Sequence, residues 1–197
     1  MKVLFLTSNE NKVIEANQTL SELGYEIEQF LINGLAPKII EPQSSEIEIV
    51  SEFKIQQALE LISGTNFENY ALLVEDSGLF IESLNDFPGV YSSYFFRTVG
   101  NQGILKLLEN ESNRNAEYRA CSILYRDGVY FRALGKCLGS ISTEIKGSNG
   151  FGYDPIFIPD SGDGRTFGEM QDYEKESKSH RGESLRILYD KLSLPSK

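Results

Sequence analysis

The fold is decided first by residues 2–12, whose sequence is KVLFLTSNENK. The short apolar run over 2–7 is typical of a buried strand. From Asn9 onward the apolar residues recur at helical spacing, and Gly24 is suited to end that helix. This stretch therefore predicts a strand that leads directly into a helix.

The same two kinds of segment recur along the rest of the chain. A turn signal over residues 126–128 (RDG) predicts an antiparallel hairpin. The predicted strands are 25–32, 71–75, 118–125 and 129–134, and the predicted helices are 47–61, 100–108 and 183–192. Alternating strands and helices with one hairpin predict an α/β fold, with a mixed central sheet and helices on its faces. We expect a single domain, 1–197, with two lobes around a cleft.

Composition and charge exclude several classes of function. Lys and Arg total 19 and Asp and Glu total 29, so the formal net charge is 19 − 29 = −10, which argues against a nucleic acid polymer as partner. Two cysteines are too few for a disulfide framework. No apolar run reaches about 18 residues, as a membrane span requires. The first apolar stretch is too short for a signal peptide, so we expect a cytoplasmic protein without a membrane partner.

The junction between the first strand and the first helix is a candidate anion site. Free backbone N–H groups and the positive end of the helix dipole favour phosphate there. Thr7, Ser8, Asn9 and Lys12 add hydroxyl, amide and ammonium groups. From this segment alone, an ordinary capped helix with a solvated lysine is the more frequent outcome.

Adjacent carboxylates at Glu75 and Asp76 follow a buried strand. Neighbouring strand residues point to opposite faces, so the two acids share one site only if the strand ends there. We expect Ser77 and Gly78 to provide that break. Such acids suit Mg²⁺, with Mn²⁺ as an alternative, and Glu41 before a proline is a third candidate. A surface turn with hydrated acids remains an equal alternative.

The stretch GFGYDP, residues 150–155, surrounds one aromatic ring with two glycines. Phe151 is thus a candidate surface for stacking on a base, with Asp154 as a hydrogen-bond partner, although a ring buried in the core is equally frequent. A basic run later in the chain contains the only histidine, and with no second histidine and no suitable cysteine the sequence gives little support to an imidazole metal site or a Ser-His-Asp triad. Its candidate residues are Lys175, His180 and Arg181.

Taken together, these motifs resemble the inosine/xanthosine triphosphate pyrophosphatase family. The matching segments run through the whole chain and occur in the same order. They are TSNENK (7–12), EDSGL (75–79), PGVYS (88–92), GFGYDPIF (150–157), FGEM (167–170) and SHR (179–181). The resemblance implies hydrolysis of ITP, dITP and XTP to the monophosphate and pyrophosphate, in a nucleotide-binding cleft, which would remove deaminated purines from the nucleotide pool.

The resemblance also implies the role of each candidate residue. Asp76 would activate water as the base, and Lys12 would assist catalysis at the phosphates. The metal ligands would be Glu41, Glu75 and Asp76. The substrate-binding residues would be Thr7, Ser8, Asn9, Lys12, Lys54, Ser77, Phe151, Gly152, Tyr153, Asp154, Lys175, His180 and Arg181. A homodimer is implied as well.

Three other functions compete with this hypothesis. A nucleotide-binding module without catalysis would use the same residues but release no pyrophosphate. A pyrophosphatase for other modified nucleotides, such as pyrimidine triphosphates, would share the fold and differ in the base that it accepts. A structural interaction protein would bind neither metal nor nucleotide.

Overall fold

The computed structural model describes residues 1–194 and gives a mixed α/β fold. The strands are β1 (Lys2–Leu6), β2 (Glu26–Gln29), β3 (Ala71–Ile81), β4 (Phe87–Gly89), β5 (Asn115–Arg126), β6 (Val129–Ile141) and β7 (Phe157–Pro159). The helices are α1 (Glu10–Leu20), α2 (Ile47–Ile62), α3 (Ser92–Thr98), α4 (Gly100–Leu107), α5 (Asp172–Glu176) and α6 (His180–Ser193). No helix within these residues is long and apolar enough to cross a membrane.

The strands of residues 1–194 form one seven-stranded sheet in the order β2-β1-β3-β5-β6-β7, with β4 paired to β3 outside that path. Strand β1 pairs in parallel with both β2 and β3. The β3–β4 and β6–β7 pairs are antiparallel. The predicted mixed sheet is therefore confirmed.

The chain divides into two compact units, which we call unit 1 (1–76, 120–135 and the segment from 184 onward) and unit 2 (77–119 and 136–183). Each has its own apolar core. The core of unit 1 includes Phe5 and Leu20, and that of unit 2 includes Tyr118 and Phe157. The predicted cleft between two lobes remains a prediction.

Strand β3 corrects the expectation that the chain turns after residue 75. It continues without a break to Ile81. Gly78 serves close packing, because a Cβ there would lie 2.2 Å from the carbonyl oxygen of Gly89 on β4. The expected break is therefore wrong, and Glu75 and Asp76 are neighbours within a continuous strand.

The other predicted elements are confirmed with changes at their ends. Asp127 and Gly128 both have positive φ, as the tight turn of the predicted hairpin requires. The last helix begins three residues earlier than predicted, at His180. The predicted helices 47–61 and 100–108 are observed as Ile47–Ile62 and Gly100–Leu107, and shifts of one residue are common at helix ends.

Candidate active site

The start of α1 is fixed by side chains of the β1–α1 junction. The Asn9 carboxamide oxygen accepts a hydrogen bond from the backbone N–H of Asn11 at 3.0 Å. The Thr7 hydroxyl oxygen accepts one from the backbone N–H of Asn9 at 3.1 Å. These bonds satisfy donors that a helix start leaves unpaired. The predicted helix cap is therefore present, and the Ser8 residue between the two is exposed.

Lys12 extends from the first turn of α1 toward β3. Its ammonium nitrogen lies 3.3 Å from Oε1 of Glu75, and the two side chains are only 14% and 1% exposed. The alternative of a solvated lysine is thus wrong. A carboxylate buried this deeply is costly unless a cation compensates it, and Lys12 supplies that cation.

Asp76, the next residue along β3, contacts a different helix. The Lys54 ammonium on α2 lies 2.5 Å from Asp76 Oδ1 and 2.8 Å from Glu41 Oε1, so one lysine links two acids. Burial raises the pKa of Asp76 by more than Lys54 lowers it. Burial lowers the pKa of Lys54, but the charges of Asp76 and Glu41 outweigh it and leave that pKa raised. A raised carboxyl pKa is favourable for a general base.

Although β3 does not break between the two acids, the charge of Lys12 also lowers the pKa of Asp76, so both acids interact with this lysine. Lys12, Glu41, Lys54, Glu75 and Asp76 form what we call the acid–lysine group. Asp76 Oδ2 is buried and has no hydrogen-bond partner among residues 1–194. An unpaired carboxylate oxygen beside further acids suits a divalent cation, and Mg²⁺ is typically held by one or two carboxylates together with substrate phosphates. In that same part of the chain, no three His, Cys, Asp or Glu side chains are grouped closely enough to hold a metal ion by themselves.

The Phe151 ring lies in a loop that requires glycine. Gly150 and Gly152 have φ of +72° and +63°, and a Cβ on Gly150 would lie 2.2 Å from Asp154 Oδ2. The Phe151 N–H donates to the same oxygen at 2.7 Å. Phe151 is 37% exposed, whereas Tyr153 is buried. The alternative of Phe151 in the core is therefore wrong.

Two cations lie near this ring. Lys175 Nζ is 4.3 Å from the ring centroid of Phe151, and Arg181 Cζ is 5.5 Å from it. Lys175 also donates to Asp154 Oδ2 at 2.6 Å, and Arg181 donates to the Ser77 hydroxyl at 3.4 Å. Phe151, Asp154, Lys175 and Arg181 form what we call the ring group. Three of its members are buried polar side chains around one exposed ring.

His180 and Tyr153 are placed in packed surroundings. The His180 ring stacks on Tyr118, with centroids 4.5 Å apart and planes 8° from parallel. The Tyr153 hydroxyl donates to the carbonyl oxygen of Ser92 at 2.9 Å. Tyr118 was absent from the sequence hypothesis, because an inward-facing strand residue carries no signal beyond that of a core position.

The structure thus brings nine of the candidate residues together in two groups, one in each unit. The other candidates, which lie outside both groups, are Thr7, Ser8, Asn9, Ser77, Gly152, Tyr153 and His180. The acid–lysine group contains every predicted metal ligand and two of the predicted phosphate contacts. The ring group contains the predicted stacking residue and three of its predicted polar companions.

Comparisons with known proteins show which family the chain resembles. A model of the Ham1 family matches residues 3–191. A dITP/XTP pyrophosphatase of Thermococcus kodakarensis is 44% identical over 186 residues, which are 94% of each chain. The protein of that name from Pyrococcus horikoshii is 43% identical over 194 residues, 98% of each chain.

The solved structures agree as well. A HAM1 protein from Coxiella burnetii matches with a TM-score of 0.83 and 28% identity, covering 98% of each chain. The fold class and the resemblance drawn from the motifs are both confirmed. Since the family model spans nearly the whole chain, this protein belongs to the Ham1 family.

Proposed function

We propose that this protein hydrolyses non-canonical purine nucleoside triphosphates, such as dITP, ITP and XTP, to the monophosphate and pyrophosphate. Two relatives more than 40% identical carry the name dITP/XTP pyrophosphatase. The observation that carries the proposal is the acid–lysine group, in which two buried acids are each paired with a lysine. Such a group can bind a polyphosphate and also activate water.

Charge accounts for the role of the lysines. A triphosphate brings roughly four negative charges to a protein with a net charge of −10, so local cations must attract it. Lys12 and Lys54 are held by acids that phosphate oxygens can replace as partners. Their ammonium groups would stabilise charge on the phosphoryl group and on the pyrophosphate that leaves.

Asp76 would accept the proton of the attacking water. Its Oδ1 is held by Lys54, and its unpaired Oδ2 has the capacity to accept that proton. The water oxygen bonds to the α-phosphorus, and the bond from that phosphorus to the bridging oxygen breaks. A Mg²⁺ held by Asp76 and by Glu75 or Glu41, with substrate phosphates as its other ligands, would supply charge neutralisation and lower the pKa of water.

The ring group would recognise the base. A purine stacked on Phe151 gains roughly 1–3 kcal/mol, by analogy with single-stranded nucleic acid binding. The base would present its 6-oxo group as a hydrogen-bond acceptor, and we propose His180 and Arg181 as its readers. When the wrong base is bound, the polar groups of such a site lose their hydrogen-bond partners, so the site can favour the right base by roughly 10⁴-fold or more.

The test compares hydrolysis of ITP and ATP by the alanine variants of His180 and Arg181. If the ratio of the two rates is unchanged in both variants, neither residue reads the base.

We also propose that the protein is a homodimer and acts in the cytoplasm, where free nucleotides are found. Four aromatic residues in or next to β4 and α3 are partly exposed: Phe87, Tyr91, Tyr94 and Phe96. Apolar surface of this kind is favourable for association. Light scattering of the purified protein would give the mass of one chain if the dimer proposal is wrong.

The decisive assay measures pyrophosphate release from a panel of triphosphates, with Mg²⁺ and with a chelator. We expect rapid release from dITP, ITP and XTP, slow release from ATP, GTP and pyrimidine triphosphates, and none without a divalent cation. Binding of dITP without pyrophosphate release would favour the non-catalytic module. Faster pyrophosphate release from a pyrimidine triphosphate than from dITP would favour the alternative of a pyrophosphatase for other modified nucleotides.

A further inference from the structure

Glu41 differs from the rest of the acid–lysine group in how it is supported. It lies in an irregular segment, residues 36–46, which we call the Glu41 loop. None of residues 31–46 is buried, so this stretch has no apolar anchor of its own. Ile40, directly before the acid, is 80% exposed. Burial does not fix the position of Glu41, and specific contacts must do so.

The backbone of Ile40 is held by one side chain of α2. The Ile40 N–H donates to Gln57 Oε1 at 2.9 Å, and Gln57 Nε2 donates back to the Ile40 carbonyl oxygen at 2.8 Å. The Gln57 amide thus pairs with both the N–H and the carbonyl oxygen of Ile40, as the backbone of a neighbouring β-strand does in a sheet. Gln57 Nε2 also donates to the Phe53 carbonyl oxygen at 3.1 Å, which fixes the amide against its own helix.

Lys54 lies one turn before Gln57 on α2, on the same side of the helix. Consecutive loop residues therefore meet consecutive turns of the helix: Ile40 contacts Gln57, and Glu41 contacts Lys54. The Glu41 side chain is 56% exposed, and exposed ion pairs contribute little by themselves. The paired backbone hydrogen bonds at Ile40 are the more directional restraint.

We propose that Gln57 is a positioning residue that holds Glu41 beside Lys54 and Asp76. This inference rests on the proposed function, in which Glu41 helps to hold the cation. Gln57 acts only through the loop backbone. Its loss should leave the chemical groups intact and reduce the fraction of molecules in which Glu41 is in place.

A structural test follows the Ile40 amide directly by hydrogen exchange. Gln57→Leu keeps the shape and removes both bonds, so exchange at Ile40 should accelerate about tenfold. Gln57→Glu keeps an acceptor for the Ile40 N–H and should retain protection there. The matched control is Gln56→Leu, because Gln56 is the adjacent amide of α2 and contacts the Tyr130 hydroxyl instead. Unchanged Ile40 exchange in Gln57→Leu overturns the proposal.

A functional test is a double-mutant cycle with Glu41→Gln, using dITP and a Mg²⁺ titration. Gln57→Leu should lower kcat/KM about tenfold and raise the Mg²⁺ concentration for half-maximal rate, with an unchanged unfolding midpoint. In the Glu41→Gln background, the same change should have no further effect. If the reductions in kcat/KM caused by Gln57→Leu and Glu41→Gln multiply in the double variant, the two residues act independently and the proposal is overturned. Full activity of Gln57→Leu at limiting Mg²⁺ overturns it as well.

The two possible failures are distinguishable. If the wild-type protein releases no pyrophosphate from any triphosphate, the proposed function is wrong and the role of Gln57 falls with it. If the wild-type protein is active and the Gln57 variants behave as the wild type, only the positioning role is wrong. The exchange measurement needs neither substrate nor metal, so it reports on the loop in either case.

Discussion

The acid–lysine group and the ring group differ in how they are built. In the first, all members but Glu41 lie on regular elements, with Glu75 and Asp76 on β3. Each acid has a lysine partner, but Lys54 is shared by two acids, so three acids face two lysines. In the second, Phe151 and Asp154 lie in and beside a glycine turn, and two cations lie near one ring.

The difference indicates where each group is vulnerable. A strand and two helices fix the acid–lysine group, so an isosteric change there should alter chemistry and leave the shape intact. The ring group depends on the backbone conformation around Gly150, and a small change of shape should disturb it. The predictions below test this contrast, in order of decreasing expected effect.

The largest effect is expected for Asp76→Asn. The amide keeps an oxygen for Lys54 and removes the proton acceptor. Turnover of dITP should therefore fall at least about a hundredfold, within the usual range for loss of a general base. Steady-state kinetics at saturating substrate measure this, with thermal unfolding as the check on folding.

Asp127→Asn is the matched control, because Asp127 is an exposed carboxylate at the hairpin turn of the same unit. It should retain full turnover. Turnover near that of the wild type in Asp76→Asn would remove Asp76 from the role of base. A large loss of stability in Asp76→Asn would contradict the contrast between the two groups, since the acid–lysine group should tolerate an isosteric change.

The next effect is expected for Phe151→Ala, which removes the exposed ring. A stacking contact of about 2 kcal/mol corresponds to about a 30-fold increase in KM for dITP. Since stacking acts equally on the ground state and the transition state, kcat should change little. Phe151→Tyr keeps a ring and should retain a low KM. A fall in kcat without a change in KM would show that the ring serves the chemistry instead.

Much of this arrangement is encoded locally and was predictable. The apolar run over residues 2–7 predicts β1, and the RDG turn predicts the β5–β6 hairpin. The roles of the candidate site residues came from the family resemblance that the ordered motifs carry, since no single motif is decisive by itself.

The parts that the sequence did not predict depend on contacts between distant residues. Gly78 suggests a break when only neighbours in sequence are considered, yet the approach of Gly89 gives it a packing role within β3. The hydrogen bonds between Gln57 and Ile40 join residues 17 positions apart. A partly exposed glutamine in an amphipathic helix carries no sign of such a partner.

A smaller effect, on stability, is expected from comparing Gly150→Ala with Gly152→Ala. Both glycines have positive φ, so both variants lose about 1 kcal/mol from backbone strain. Only the Gly150 variant also places a Cβ against Asp154 Oδ2, since nothing lies within 4 Å of a Cβ at Gly152. That contact should add about 1–3 kcal/mol to the loss. Equal unfolding free energies in denaturant titrations would show that Asp154 moves away freely.

The smallest effect concerns the two cysteines, of which each unit contains one. Burial raises the pKa of Cys121 in unit 1 to about 11 and that of Cys137 in unit 2 to about 12. The thiolate reacts with iodoacetamide, so both thiols should react slowly in the native protein at pH 8, and Cys137, with the higher pKa, should be the slower of the two. Peptide mass spectrometry assigns the two rates without mutation.

Denaturant provides the control for this measurement, because both thiols should react at similar rates once the chain is unfolded. The same rates can be measured with a non-hydrolysable triphosphate bound. If the nucleotide stabilises one unit more than the other, the cysteine in that unit should react more slowly when the nucleotide is present. If chain opening limits both reactions, the two cysteines will instead react at one common rate. The two units would then open together, and the contrast drawn between their sites would not extend to their stability.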